Sequence, residues 1–168
     1  MTEIHPFISY LTGTLAKDRG ALAALRRGLG QPPGHAPEML RFVVPFLSER
    51  PSRWEESTLY LIASLFGLHP ANTTSGNMGD HYAALRTPEN KAGLERRFTA
   101  LLAAHPDDLH VHLRQAVARL KSEEIPVNWN QLFWDCRAWN HPEWRADVRR
   151  RWAKSFWREP QASTLETE

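Results

Sequence analysis

The residues most able to do chemistry lie in AHPDDLHVHL, where His105, His110 and His112 flank Asp107 and Asp108. Imidazole nitrogens and carboxylate oxygens in that density suit a divalent metal ion. Histidines two apart on a helix face different directions, however, so His110 and His112 cannot share one ion there. Asp80 and His81 could form an acid/base pair, but the surrounding loop offers no third group to orient them. Cys136 is the single cysteine. It falls on the apolar stripe of its segment, which favours packing over nucleophilic attack. The chain contains no G-x-x-x-x-G-K-[ST], no G-x-G-x-x-G and no H-E-x-x-H. No catalytic residue, metal or cofactor is expected, and the protein does not read as an enzyme.

The arginines remain. Seventeen arginines accompany four lysines within a net charge of only +2. A guanidinium fork meets phosphate oxygens bidentately, which a lysine point charge does not. Codon usage in a GC-rich genome explains the same totals, so placement has to decide. In ALAALRRGLGQPPG an apolar helix, with Leu22, Leu25 and Leu29 on one face, ends on Arg26 and Arg27. At about 100° per residue, Arg26 borders that face and Arg27 points away from it. Answering the helix dipole requires only nearness to the last carbonyls, so an outward Arg27 is free to meet an external anion.

The same pattern returns further along. Arg97 flanks the stripe of Leu94, Phe98, Leu101 and Leu102, with Arg96 on the opposite face. Between 106 and 122, His110, Arg114 and Lys121 line one flank and Arg119 the other. In RADVRRRWAKSFWR, Arg145 and Arg149 form one ridge and Arg150, Lys154 and Arg158 a second, with Asp147 the expected partner of Arg151. Positive ridges on several helices are the footprint of a protein that tracks a phosphate backbone. Solvated faces with local partners are the plainer alternative.

The elements that must position these side chains read as helices throughout, with no convincing strand pair. Hydrophobic residues at 42% and charged residues at 24% are ordinary for a globular chain. No apolar run approaches a membrane span. The opening MTEIHPFISYL lacks a basic n-region and does not read as a signal peptide, so a cytoplasmic location is expected. A first helix is expected from Ile4 to about Lys17. Another follows on Met39, Phe42, Val43 and Phe46, which Pro45 must end or kink. Ser52-Arg53-Trp54-Glu55 reads as a capping box opening a helix with the stripe Trp54, Thr58, Leu61, Ile62 and Leu65. Gly67 to Asp80, GLHPANTTSGNMGD, reads as a long mobile loop and lobe boundary.

Four further starts follow, at Thr87-Pro88-Glu89, Pro106-Asp107-Asp108, Asn128 with Gln131, and His141-Pro142-Glu143. The expectation is an all-α, two-lobed protein whose lobes share a core. It has a small N-terminal helical lobe over 1–80, a C-terminal four-helix bundle over 81–158, and a disordered tail over 159–168. Six of seven tryptophans lie between 129 and 157. Trp129, Trp139, Trp144 and Trp152 fit buried stripes. Trp134 and Trp157 fall off them and are candidates for a protein interface or a stacked base.

Taken together, LRRGLG with QPPGHAPEMLRFVVPFL, LERRF at 94–98, LRQAV at 113–117 and VNWNQLFWDCRAW at 127–139 resemble the CasB family over about residues 5–157. That family supplies the small subunit of Cascade, the type I-E CRISPR surveillance complex. The resemblance implies a non-enzymatic, two-lobed helical protein. It would be present as two stacked copies against the backbone subunits that hold the guide RNA, alongside the large subunit. Its basic surface would hold guide RNA and the target and displaced DNA strands, stabilising the R-loop, while base pairing reads sequence. Carried residue by residue, the family's exposed basic positions match Arg27, Arg53, Arg97 and Arg114, with Arg26 and Arg96 beside them. Some relatives carry basic residues just after the RAW segment, where this chain has Asn140, His141 and Pro142; Arg145 and Arg149 stand one turn later. With Arg119 and Lys121 these complete the candidate set. The competing reading is a helical protein–protein adaptor without direct nucleic-acid contact, carried by Trp134 and Trp157.

Overall fold

Capping side chains decide where most helices begin. In a computed structural model describing residues 2–158, α1 (Pro6–Ser9) starts behind His5, whose Nδ1 accepts the Phe7 amide at 3.1 Å. It continues as a π-helical turn over Tyr10–Leu15. The carboxylate of Asp18 caps α2 (Arg19–Arg26) by accepting the Ala21 amide at 3.0 Å. The helix α3 (Pro37–Val43) passes into a 3₁₀ turn over Val44–Phe46, the interruption Pro45 demands. Ser52 caps α4 (Arg53–Leu68) through the Glu55 amide. The expected box does not close: the Glu55 carboxylate accepts instead from the Ser48 amide and hydroxyl, both at 2.8 Å.

The stretch read as a mobile loop is the main correction. α4 runs on to Leu68, and a further helix, α5 (Met78–Ala83), begins at a reciprocal box between Asn77 and Asp80. The expected boundary at 80/81 therefore falls inside α5. Between the two helices, the Thr73 amide donates to the Val127 carbonyl at 3.0 Å and the Val127 amide to the Ala71 carbonyl at 3.1 Å. This isolated parallel bridge of Asn72 with Val127 is the only strand-like pairing among the described residues.

Two expected starts also shift. Thr87 and Asn90 exchange amide–side-chain bonds at 2.8 and 3.2 Å, closing a turn so that α6 (Lys91–Leu102) opens later. Pro106 to Asp108 likewise form a turn before α7 (Leu109–Ser122). α8 (Trp129–Trp139) and α9 (Pro142–Trp157) begin as expected, α8 behind Asn128.

Two glycines of the 67–80 stretch set the closest helix crossings. A Cβ at Gly67 would lie 2.8 Å from the Leu25 Cβ and 2.9 Å from the Arg26 amide, so α4 and α2 touch backbone to backbone there. A Cβ at Gly79 would stand 2.0 Å from the Trp152 carbonyl oxygen, where α5 crosses α9. Only Gly76, at φ 84°, serves the left-handed turn that composition suggested for the whole segment.

One hydrophobic cluster runs from Phe7 to Phe156 and joins both parts of the chain. α4 packs on α2 and α3 on one side and on α7 and α8 on the other, and α9 packs on α5, α6 and α8. Trp129, Trp139 and Trp152 are fully buried at its centre. Trp144 and Trp54, placed on buried stripes by periodicity, are 55% and 42% exposed. Each lies near the start of its helix, where nothing further covers the stripe. The tail expected at 159–168 lies outside the described residues.

Candidate nucleic-acid interface

Of the ten candidate cations, Arg26, Arg27, Arg53, Arg96, Arg97, Arg114 and Lys121 are exposed, while Arg119, Arg145 and Arg149 are half-buried. None pairs with a carboxylate among the described residues, whose ion pairs are His105–Asp107, Arg150–Asp147 and Arg151–Asp135. The pairing expected between Asp147 and Arg151 is corrected: Arg150 takes Asp147, and Arg151 reaches Asp135 at 3.5 Å. Asp135 is the stronger attractor because it is buried in α8. There it accepts from Trp152 Nε1 at 2.8 Å and Gln131 Nε2 at 2.9 Å. Burial pushes its carboxyl pKa up, and these donors together with Arg151 pull it back.

Three candidates, exposed Arg26 among them, are engaged with the fold. Arg26 donates to the Gly67 carbonyl at 3.0 Å, bracing the α2–α4 crossing. Arg145 donates to the Trp139 carbonyl at 3.1 Å, and Arg149 to the Ala104 carbonyl at 3.1 Å while lying over the Trp139 ring at 5.3 Å. Gly67, Trp139 and Ala104 sit at or just past helix C-termini, where unpaired carbonyls and the dipole favour a cation. Burial, and then the neighbouring Arg145, lower the Arg149 pKa.

The structure gathers several candidates into pairs, two of them from different helices. Arg97 of α6 and Arg119 of α7 both act on buried Tyr82, whose phenol burial pushes up and these two guanidiniums pull down. Arg145 and Arg149 adjoin on α9. Arg53 of α4 and Arg114 of α7 line one cleft of about 860 Å³, walled on its third side by the loop 28–34 that follows Arg27. Gly30, at φ 76°, lets that loop lie against Arg114: a Cβ there would meet the guanidinium at 3.0 Å.

Periodicity missed Trp54, which stands on this cleft with the Arg53 guanidinium 5.6 Å from its ring centre. Its sequence signal was its position two residues after the Ser52 cap, where a stripe outruns its cover. Trp134 is held internally, its Nε1 donating to the Glu3 carbonyl at 2.9 Å. Trp157 is 44% exposed. His81 is buried and its Nε2 accepts the Asn128 amide at 3.0 Å; burial drives its pKa down to about 4, Asp80 opposing weakly. Cys136 packs in the core, and burial raises its thiol pKa. No group of three or more His, Cys, Asp or Glu converges as metal ligands among the described residues. No described helix is long and apolar enough to cross a membrane.

Residues 21–157 match the family model for CRISPR-associated protein Cse2. The chain is 36% identical over 138 residues to CRISPR-associated protein Cse2 of Thermus thermophilus, covering 82% of this chain and 78% of that protein. It superposes on crystalline CasB from Thermus thermophilus with TM-score 0.76 at 30% identity, covering 91% of this chain and 98% of that one. It is similar also to a chain of a CRISPR RNA-guided surveillance complex, with TM-score 0.68 at 25% identity, covering 88% and 92%.

Proposed function

The chain belongs to the CRISPR-associated Cse2 family, and from that premise we propose that it is the small, non-catalytic subunit of a type I-E surveillance ribonucleoprotein. Its basic faces hold guide RNA and the target and displaced DNA strands through their phosphates, stabilising the R-loop. Its other partners are the backbone and large subunits and a second copy of itself. The observation that carries this reading is the set of exposed cations on α2, α4, α6 and α7 with no carboxylate partner among the described residues. A cation without an internal partner forfeits no existing ion pair when it meets a phosphate, and it releases condensed counterions as it does so. Phosphate contacts of this kind carry no sequence information. They add instead to a strand exchange that is nearly balanced, where a small contribution decides the outcome.

The test is a triple variant, R27A/R97A/R114A, in which each substitution removes an exposed side chain outside the core. Binding to a single strand should weaken at every salt concentration. The slope of log affinity against log salt should become shallower by about 2, three contacts at about 0.7 each. R-loops formed by the reconstituted complex should dissociate faster. A folded triple variant with unchanged affinity and slope refutes the assignment.

A further inference from the structure

The cleft between α4, α7 and the 28–34 loop carries more than a phosphate contact. Its volume of about 860 Å³ falls within the range of small-molecule sites, about 300–1,000 Å³. Its wall includes half-buried Leu61, with Leu65 and the ring of Tyr60 buried behind it. At its edge stands Trp54, a large aromatic left 42% exposed although the fold has buried three other indoles completely.

The charges around it are mostly positive. Arg53 and Arg114 line the cleft and neither has a carboxylate partner among the described residues. The one carboxylate on the lining, Asp107, faces His105 at 3.6 Å. A flat apolar group attached to an anion matches this combination, an indole with two cations beside an apolar recess. An ordinary peptide side chain offers either the flat apolar group or the anion, and so leaves the indole or the guanidiniums unanswered. A free phosphate would leave the recess and the indole unused.

We propose that this cleft receives a single unpaired nucleotide of a DNA strand, its base against Trp54 and its flanking phosphates on Arg53 and Arg114. The proposal rests on the nucleic-acid reading above and extends it from backbone tracking to base capture. Every base has a stacking face, so the capture is indifferent to sequence. It also separates two duties among the arginines. Those of α2 and α6 act on the backbone alone, while Arg53 and Arg114 hold the ends of one seated nucleotide. Gly30 belongs to the same device, since its φ of 76° is one that other residues rarely adopt and a Cβ there would press on the Arg114 guanidinium at 3.0 Å.

The experiment compares a labelled 20-nucleotide oligothymidylate with an abasic strand of the same length, by fluorescence anisotropy on the full chain at low salt. The wild type should bind the base-bearing strand about tenfold more tightly, the scale of one base–aromatic stack. W54A should bring that ratio to about one without changing affinity for the abasic strand. A118F, which fills the cleft from α7 without altering Trp54 or either arginine, should do the same. W144A, removing the most exposed of the indoles, should leave the ratio intact. Equal binding of both strands by the wild type overturns base capture and leaves the phosphate reading standing. So does a W54A or A118F protein that is folded and keeps the preference. Failure of the wild type to bind either strand overturns both.

Discussion

The Nε2 of His81 accepts the Asn128 amide from a buried position, so the ring must stay neutral for the contact to exist. Burial holds its folded pKa down near 4, against about 6.5 in an unfolded chain. Between those values the unfolded chain binds a proton that the folded one refuses. Stability is therefore lost as pH falls from about 6.5 towards 4, by about 2 kcal/mol at pH 5. Burial lowers the His5 pKa as well, and acts in the same direction. Urea titrations at pH 7.5 and pH 5 should show this loss in the wild type. H81Q, whose amide oxygen can accept the same amide, should lose markedly less. Equal losses would remove His81 from the account. None of this was legible in the sequence, where Asp80 and His81 could form an acid/base pair but nothing around them offered a group to orient it. The placements of Arg26 and Arg27 were legible, because a helix fixes the angle between neighbours and the apolar face was plain. Arg26 does brace a carbonyl, and Arg27 is exposed with no ion pair among the described residues.

Among the elements, glycine misled most. Gly67 and Gly79 read as loop residues by composition, yet they are helical and absent from the left-handed region. What they lack matters through space: a methyl group at either would overlap the backbone of a facing helix. Sequence pattern along one segment cannot report a neighbour 41 or more residues away. G67A should destabilise the protein by about 2 kcal/mol or more, the scale of overpacking in a rigid contact. G93A, on α6 with nothing within 4 Å of the added carbon, should stabilise by about 0.5–1 kcal/mol through helix propensity. Chemical denaturation of the two variants gives opposite signs if the crossing argument holds, and the same sign if glycine acts here only through backbone freedom. Trp54 and Trp144 teach a related lesson. Period alone identifies a helix face but not how far the opposing surface extends along it. The stripes of α8 and the later turns of α9, which have neighbours along their length, were read correctly.

Over the whole molecule, the all-α architecture followed from caps and periodicity. A core shared between the parts was expected as well, but not that α4 is the element joining them. α4 touches both sides of the structure and one apolar cluster continues through it, so the N-terminal helices and the bundle complete a common interior. The positive surface is likewise a property of several helices at once. Arg53 and Arg114 lie 61 positions apart in sequence and share a cleft only because α4 packs on α7. The rung between Asn72 and Val127 extends this joining to the linkers themselves, binding the connection after α4 to the one before α8. Linker amides usually exchange with deuterated solvent through local fraying. The Val127 amide has no such route, because freeing it means parting segments fixed at both ends by packed helices. It should exchange as slowly as amides in the middle of α4, while the Ser75 amide a few residues along the first linker exchanges quickly. Matching rapid rates at both would mean that the rung opens independently of the core.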